Sequence, residues 1–170
     1  MASSSLCTQM EQQVLAAEMI KLGARPQVIL QTFDLPYGRM VRLYREITGK
    51  PLPRGALPFS TEWFLGWRPN IHSTLFHCIY RRLEEALTQE PPEHLIEAYR
   101  LYLDWQQPPG EQALLSLTRA WTLLRYLEAE LLQLTRCTEC GHRFIADANT
   151  PRQDYICGLC APPARLGHHR

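Results

Sequence analysis

The stretch CTECGHRFIADANTPRQDYICGLC, which runs from Cys137 to Cys160, decides the fold of the C-terminal region. It contains two Cys-x-x-Cys pairs with a spacer of residues 141–156 between them. Each pair forms a tight turn that directs two thiolates to one point, and two such turns supply the four ligands of a tetrahedral zinc site. The spacing therefore predicts one zinc ion bound by Cys137, Cys140, Cys157 and Cys160.

This predicted site is structural, because four cysteine ligands leave no open coordination position for a catalytic water. A thioredoxin-type redox motif requires a strand–helix–strand setting, and none surrounds these residues. Residues 144–145 and 155–156 are predicted to pair as a short hairpin, as in a zinc ribbon. The sequence leaves two roles open: the module holds the C-terminal region in shape, or it also presents Arg143, Arg152 and Arg165 to phosphate.

The segment before the cysteines has the apolar periodicity of helices, and no strand alternation is visible before residue 137. Thr8 and Glu11 have the spacing of a capping box for a first helix that stops at Gly23. Pro26 suits the first turn of a second helix. Apolar residues at positions 40, 43, 44 and 47 then predict a third helix, ended by Gly49.

A proline-rich linker at residues 50–54 separates these helices from a second helical group. Ser60 and Asn70 are predicted to cap a short aromatic helix and a longer one, and the last helix is predicted to span residues 114–131. The predicted fold is mainly α, with three regions. They are an N-terminal helix-turn-helix-like basic region (1–54), a helical core (55–134), and a four-cysteine, zinc-ribbon-like module with a short tail (135–170).

Composition places the chain among soluble globular proteins, with 45% hydrophobic and 21% charged residues. No run of eighteen apolar residues exists, so a membrane span is not expected. The first residues, MASSSLCTQMEQQ, lack the basic and apolar regions of a secretory signal. We therefore expect a cytoplasmic protein, in whose reducing surroundings paired cysteines indicate metal binding rather than disulfides.

The net charge of +1 conceals a basic block at residues 21–54, where seven basic and two acidic side chains leave a local net of +5. Within it, Arg39, Arg42 and Arg45 recur at every third position and form a strip opposite the apolar face of the third helix. A short helix, a turn and a second, basic helix are the elements of a helix-turn-helix. Together with Lys50 and Arg54, this strip is a candidate DNA-binding surface, but a solvated arginine face fits the pattern equally well.

Six stretches, in order along nearly the whole chain, resemble the FlhC family of flagellar transcriptional regulators. They are LGAR (22–25), GRMVRLYREITG (38–49), LPFSTEWF (57–64), AYRLYL (98–103), LTRAWTLLRYLE (117–128), and LLQL followed by the two cysteine pairs and APPAR (131–165). LPFSTEWF and LTRAWTL are long enough to be specific. The family's zinc ligands correspond to the same four cysteines identified above by spacing.

The resemblance implies a cytoplasmic, non-enzymatic activator that binds promoter DNA with a partner, FlhD. The family's complex is a heterohexamer of two FlhC and four FlhD chains, with one zinc ion per FlhC subunit. It activates flagellar and some non-flagellar operons together with RNA polymerase. The sequence read without this resemblance also predicts no enzyme, because it contains no nucleophile–base pair, no paired carboxylates and no glycine-rich phosphate loop.

Two features depart from the family pattern. Pro36 occupies the position at which the third helix usually has a capping serine, and the tail after the second cysteine pair ends early, at Arg170. Neither affects the zinc ligands. The alternative to a DNA-binding activator is a zinc-stabilised interaction subunit that makes no direct DNA contact.

Overall fold

The computed structural model describes residues 5–57, 60–88, 90–106, 112–150 and 154–164. Within these ranges the chain is mainly helical, which confirms the predicted class. The helices are α1 (Leu6–Lys21), α2 (Pro26–Thr32), α3 (Tyr37–Thr48), α4 (Glu62–Leu65), α5 (Trp67–Ala86), α6 (Pro91–Trp105) and α7 (Leu117–Glu128). Two strands follow, β1 (Leu132–Arg136) and β2 (Arg143–Asp147).

The ends of the first three helices are fixed by residues that favour helix boundaries. Pro26 is the first residue of α2, and Gly49 ends α3 in the left-handed conformation with φ of 65°. The predicted start of α1 at Thr8 is wrong, because α1 begins at Leu6. The hydroxyl of Ser5 accepts a hydrogen bond from the Cys7 N–H at 3.3 Å and takes the role predicted for Thr8.

Pro36 precedes α3, and no side chain caps this helix. The Pro36 carbonyl accepts hydrogen bonds from Arg39 at 2.9 Å and Met40 at 3.1 Å, so the backbone alone starts the helix. Met40 is fully buried against the core, whereas Arg39 is exposed. The helix therefore has one apolar face and one basic face, as its sequence predicts.

The capping predictions in the middle of the chain have mixed outcomes. The short aromatic helix α4 exists, and the Ser60 hydroxyl accepts from the Glu62 N–H at 3.2 Å, although Thr61 occupies the cap position. Asn70 does not cap α5, because that helix begins at Trp67 and Asn70 lies inside it. The Asn70 side chain is buried and bonds to other segments instead.

The predicted helix over 114–131 is too long, and the predicted absence of strands before residue 137 is wrong. Helix α7 ends at Glu128, and Glu130 reverses the chain with a positive φ of 54°. Strand β1 then pairs antiparallel with β2, with Leu134 opposite Ile145. The hairpin predicted between residues 144–145 and 155–156 is therefore replaced by a hairpin that encloses the first cysteine pair.

One apolar core connects the helices with the strand pair. It includes Met19 from α1, Phe76 from α5, Tyr102 from α6, Leu132 from β1 and Ile145 from β2. Helix α5 is central, since it packs on α4, α6, α7 and β2. The strand pair thus completes one wall of the helical core.

Some apolar side chains remain outside this core. Leu6, Met10 and Val14 recur every four residues along α1 and are 78%, 67% and 63% exposed. They form an apolar stripe on α1. None of the described helices is long and apolar enough to cross a membrane.

Candidate metal centre and nucleic-acid interface

The two cysteine pairs converge on one point. The Sγ atoms of Cys137, Cys140, Cys157 and Cys160 all lie within 4.8 Å of one another, and Cys140 Sγ is 3.8 Å from Cys157 Sγ. Zinc–sulfur bonds of about 2.3 Å in a tetrahedron place neighbouring sulfurs about 3.8 Å apart. The four sulfurs therefore have the spacing of a metal site, and their chemistry favours a soft or borderline ion such as zinc.

The backbone around the sulfurs stabilises thiolates. The Cys157 N–H donates to Cys137 Sγ at 3.3 Å, and Gly141 turns the chain after the first pair with φ of 72°. Backbone N–H groups of Cys140 and Cys157 lower the pKa of Cys137 to about 6. The Cys160 thiol donates to the sulfurs of Cys140 and Cys157, and these hydrogen bonds raise the pKa of Cys160 to about 12.

The two cysteine pairs are joined to each other by backbone hydrogen bonds. The Tyr155 carbonyl accepts from the Thr138 N–H at 2.8 Å and from its hydroxyl at 3.3 Å. Phe144 and Tyr155 pack on the buried thiols of Cys137 and Cys157. The segment 154–160 is thereby fixed beside the first pair, although it belongs to no strand.

The cysteine module is attached to the helical core through α5. The Trp67 indole N–H donates to the Gly158 carbonyl at 2.7 Å, and a Cβ at position 158 would lie 2.9 Å from Trp67 Cδ1. Asn70 Nδ2 donates both to the Phe64 carbonyl at 3.0 Å and to the Ile145 carbonyl at 2.7 Å. These bonds fix both cysteine pairs relative to the helices.

A groove of about 430 Å³ lies between α5 and the cysteine module. Its lining includes Leu75, Cys78, Trp105 and Leu159. Cys78, which the sequence suggests is a small core residue, is exposed here. Trp105 and Leu159 are 56% and 73% exposed, so the groove has an apolar, open rim.

The basic strip predicted on α3 lies at the surface. Arg39, Arg42 and Arg45 are all exposed, and no carboxylate among the described residues forms an ion pair with them. Lys50 and Arg54 are exposed in the segment that follows. Helix α3 packs on α1 and α2, whereas the cysteine module packs on α4, α5 and α7.

The module carries a second basic feature. Arg143 begins β2 and is exposed, and its partner across the strands is Arg136, also exposed. Sequence reasoning did not include Arg136, although it directly precedes Cys137 and ends the alternating segment LQLTR. Arg152 and Arg165 lie outside the described residues.

Comparison with known proteins identifies the family. The family model described as "Flagellar transcriptional activator (FlhC)" matches residues 1–170. The chain is 44% identical over 167 residues to a flagellar transcriptional regulator FlhC from Paraburkholderia atlantica, covering 98% of this chain and 77% of that protein. A protein of the same name from Serratia marcescens is 45% identical over 171 residues, covering 100% of this chain and 88% of that protein.

A third relative, from Proteus mirabilis, has the same name and is 44% identical over 167 residues, covering 97% of this chain and 86% of that protein. The aligned stretch thus spans nearly the whole chain. The family is named for transcriptional activation, which is not an enzyme class. This chain belongs to the FlhC family of flagellar transcriptional activators.

Proposed function

We propose that this chain is the DNA-binding subunit of a cytoplasmic activator complex that contains FlhD and binds promoters of flagellar and some non-flagellar operons. The complex is a heterohexamer of two such chains and four FlhD chains, and it acts together with RNA polymerase. The observation that carries the DNA-binding role is the set of exposed arginines without acidic partners on α3 and on the strand pair.

Charge pairing elsewhere in the molecule supports this assignment. Arg81, Arg100 and Arg125 are exposed, as the α3 arginines are, but each of them forms an ion pair with a glutamate. A solvated surface usually interleaves both signs of charge, whereas a surface that binds a polyanion keeps its cations free. Arg39, Arg42 and Arg45 on α3 follow the second pattern. Their guanidinium groups suit phosphates and guanine edges.

Helices α2 and α3, with the turn at residues 33–36, are proposed to act as a helix-turn-helix-like unit. Met40 anchors α3 in the core, so the opposite face of α3 is free to approach DNA. The Arg39, Arg42 and Arg45 side chains are proposed to contact the duplex, with Lys50 and Arg54 beside them. Arg143, Arg152 and Arg165 are proposed to extend the contact from the zinc module.

The metal is proposed to be one Zn²⁺ per chain, bound by the four cysteines. When bound, it supplies a fixed cross-link between two chain segments and no catalytic chemistry, because the ligand set is closed. This cross-link holds Tyr155 against Thr138 and Gly158 against Trp67. It thereby positions Arg143 relative to the helical core.

One experiment tests the proposal directly. The chain is co-purified with FlhD, its zinc content is measured, and binding to a duplex from upstream of a flagellar operon is measured at several salt concentrations. Replacing Arg39, Arg42 and Arg45 by glutamine should flatten the slope of log K against log salt by about 0.9 per phosphate lost. A matched control replaces the ion-paired Arg81, Arg100 and Arg125 by glutamine and should leave the slope unchanged.

A second candidate is a zinc-stabilised interaction subunit that makes no direct DNA contact. The apolar stripe on α1 favours it, since an exposed row of Leu6, Met10 and Val14 is typical of a protein interface. The same experiment separates the two functions. If the α3 triple variant and a second variant with Arg143, Arg152 and Arg165 replaced by glutamine both assemble with FlhD and retain affinity and salt slope, the interaction subunit is favoured.

A further inference from the structure

Three stretches that are distant in sequence meet at one surface position outside α3 and the zinc module. Arg25 ends the stretch LGAR, Trp63 lies in LPFSTEWF, and Arg119 lies in LTRAWTLLRYLE. The Arg25 N–H donates to Thr118 Oγ1 at 3.1 Å, which places Arg25 beside the start of α7. The Arg119 guanidinium carbon lies 3.9 Å from the centroid of the Trp63 ring.

The charges at this position are unbalanced. No carboxylate among the described residues forms an ion pair with Arg25 or Arg119. Burial and the neighbouring charge of Arg25 lower the pKa of Arg119, so the two cations repel each other. Arg119 also lies in the first turn of α7, which contains no acid. Two cations held together without an anion lower stability, unless a ligand supplies the missing negative charge.

A second arginine on α7 also lies over a tryptophan, but it has an acidic partner. Arg125 also lies over a tryptophan, with its guanidinium carbon 5.8 Å from the Trp121 ring centroid, but it forms an ion pair with Glu128 at 3.0 Å. Arg119 lies closer to its tryptophan ring than Arg125 does, and it forms no ion pair with a carboxylate of the described residues. Stacking on Trp63 covers one face of its guanidinium and leaves the N–H groups at the edge, which is the geometry that binds a phosphate through two parallel hydrogen bonds.

The neighbouring linker is tied to the same position. Arg25 Nη1 donates to the Ala56 carbonyl at 2.7 Å, and Gln27 Nε2 donates to the Gly55 carbonyl at 3.2 Å. Exposed Arg54 directly precedes Gly55, so the basic linker runs past the start of α2. The two arginines are therefore continuous with the basic block rather than isolated.

We propose that Arg25 and Arg119, supported by Trp63, form a binding site for a backbone phosphate of promoter DNA. This site is additional to α3 and the zinc module, and it rests on the proposed DNA-binding function. A phosphate fits better than an acidic protein segment, because a planar guanidinium over a ring and beside a second arginine matches the two non-bridging oxygens of a phosphodiester. Basic residues on the adjoining linker continue the positive surface along which a DNA strand would run.

The test uses the complex of the full chain with FlhD and a duplex from upstream of a flagellar operon. Replacing Arg25 and Arg119 by glutamine should weaken binding roughly ten-fold or more and flatten the salt slope by about 0.9 for one phosphate. Arg119→Lys keeps the charge and should retain the slope while losing part of the affinity. Arg125→Gln is the matched control on α7 and should change neither quantity.

Thermal unfolding, zinc content and assembly with FlhD are measured on the same variants. The site is refuted if the double variant is folded and assembled yet binds DNA with unchanged affinity and slope. It is also refuted if the variant loses FlhD while the remaining complex keeps its slope, because the arginines then contact protein. If the wild-type complex itself shows no salt-dependent promoter binding, the proposed function fails before this site is tested.

Discussion

Arg136 and Arg143 lie directly opposite each other in the antiparallel strand pair that encloses the first cysteine pair. Both side chains are exposed, and no carboxylate in the described part of the chain forms an ion pair with either. Like charges directly opposite each other destabilise a strand pair, whereas opposite charges stabilise it by about 0.2–1 kcal/mol. The pairing of Arg136 with Arg143 therefore destabilises the β1–β2 hairpin.

Replacing Arg136 by glutamate should separate stability from DNA binding. We expect a gain in unfolding free energy of up to about 1 kcal/mol, because repulsion becomes attraction across the strands. We expect weaker promoter binding by the complex with FlhD, because the cysteine module loses positive charge. Arg136→Gln should be intermediate in both measurements. Equal promoter affinity for the glutamate variant and the wild type would exclude this arginine pair from the DNA interface.

Gly158 should tolerate no side chain. A Cβ there would lie 2.9 Å from Cδ1 and 3.2 Å from Nε1 of Trp67, and the indole is itself fixed by its bond to the Gly158 carbonyl. We expect Gly158→Ala to destabilise the protein by about 1–3 kcal/mol and to weaken zinc binding. Thermal unfolding and zinc competition with a chromogenic chelator measure the two effects.

The matched control is Gly38→Ala in α3, where a Cβ would meet nothing within 4 Å. Alanine favours helix over glycine, so this variant should be neutral or slightly stabilising. Equal stability of the two alanine variants would show that the Trp67 contact imposes no restriction.

Asn70 should be needed for the attachment of β2 to α5. Its amide donates to two backbone carbonyls, and Asn70→Leu keeps the branched shape of the side chain while removing the donor to both carbonyls. A buried carbonyl without a partner costs about 1–3 kcal/mol, so we expect a loss of at least about 2 kcal/mol in urea unfolding. Asn149→Ala, at an exposed position, is the control and should change stability by less than about 0.5 kcal/mol. A loss equally small for Asn70→Leu would contradict the attachment.

His77 should make stability depend on pH. Burial, with a smaller contribution from the charge of Arg81, lowers the pKa of His77 to about 4. The unfolded chain therefore binds this proton at a higher pH than the folded chain. Stability is fully present above about pH 6.5 and falls as the pH is lowered towards 4, by up to about 3 kcal/mol.

Comparison with His77→Leu isolates this effect, because both proteins have the same four cysteines, so any effect of acid on that cluster is the same in both. The difference in unfolding free energy between the wild type and the variant should change between pH 6.5 and 4. A constant difference over that range would show that His77 is not the group responsible.

The helix boundaries that the sequence predicts correctly depend on residues that act locally. Pro26 favours a first helical turn and Gly49 adopts the left-handed conformation, whatever the rest of the chain does. The convergence of the four cysteines depends equally on local structure, because each Cys-x-x-Cys pair forms a turn of its own. These features need no knowledge of distant contacts.

The wrong predictions concern residues whose roles depend on distant partners. Asn70 has the preferences of a helix cap, but its side chain is used to bond Ile145, 75 residues further on. Leu131 continues the helical periodicity of α7, yet the chain turns at Glu130 without a glycine, and β1 forms because β2 pairs with it. The alternation of Leu132 and Leu134 was the available signal, and it is too short to outweigh a helical pattern.

The arginine pair at Arg25 and Arg119 was not predictable from spacing, since 94 positions separate the two residues. Only the meeting of α2 with α7 brings them together. The basic strip on α3 is predictable from the sequence, by contrast, because residues three positions apart lie on the same side of a helix.

The position of Ile145 has a consequence for attempts to transplant the metal-binding segment. Its side chain fills the helical core, and its carbonyl takes one of the two bonds offered by Asn70. Cutting the chain ahead of β1 would open the core and leave that amide half-satisfied, so the remaining helices would not form a smaller stable protein. The excised segment would carry an exposed isoleucine into solution. In this protein the segment with the four cysteines is an integral part of the folded core and not an independent domain.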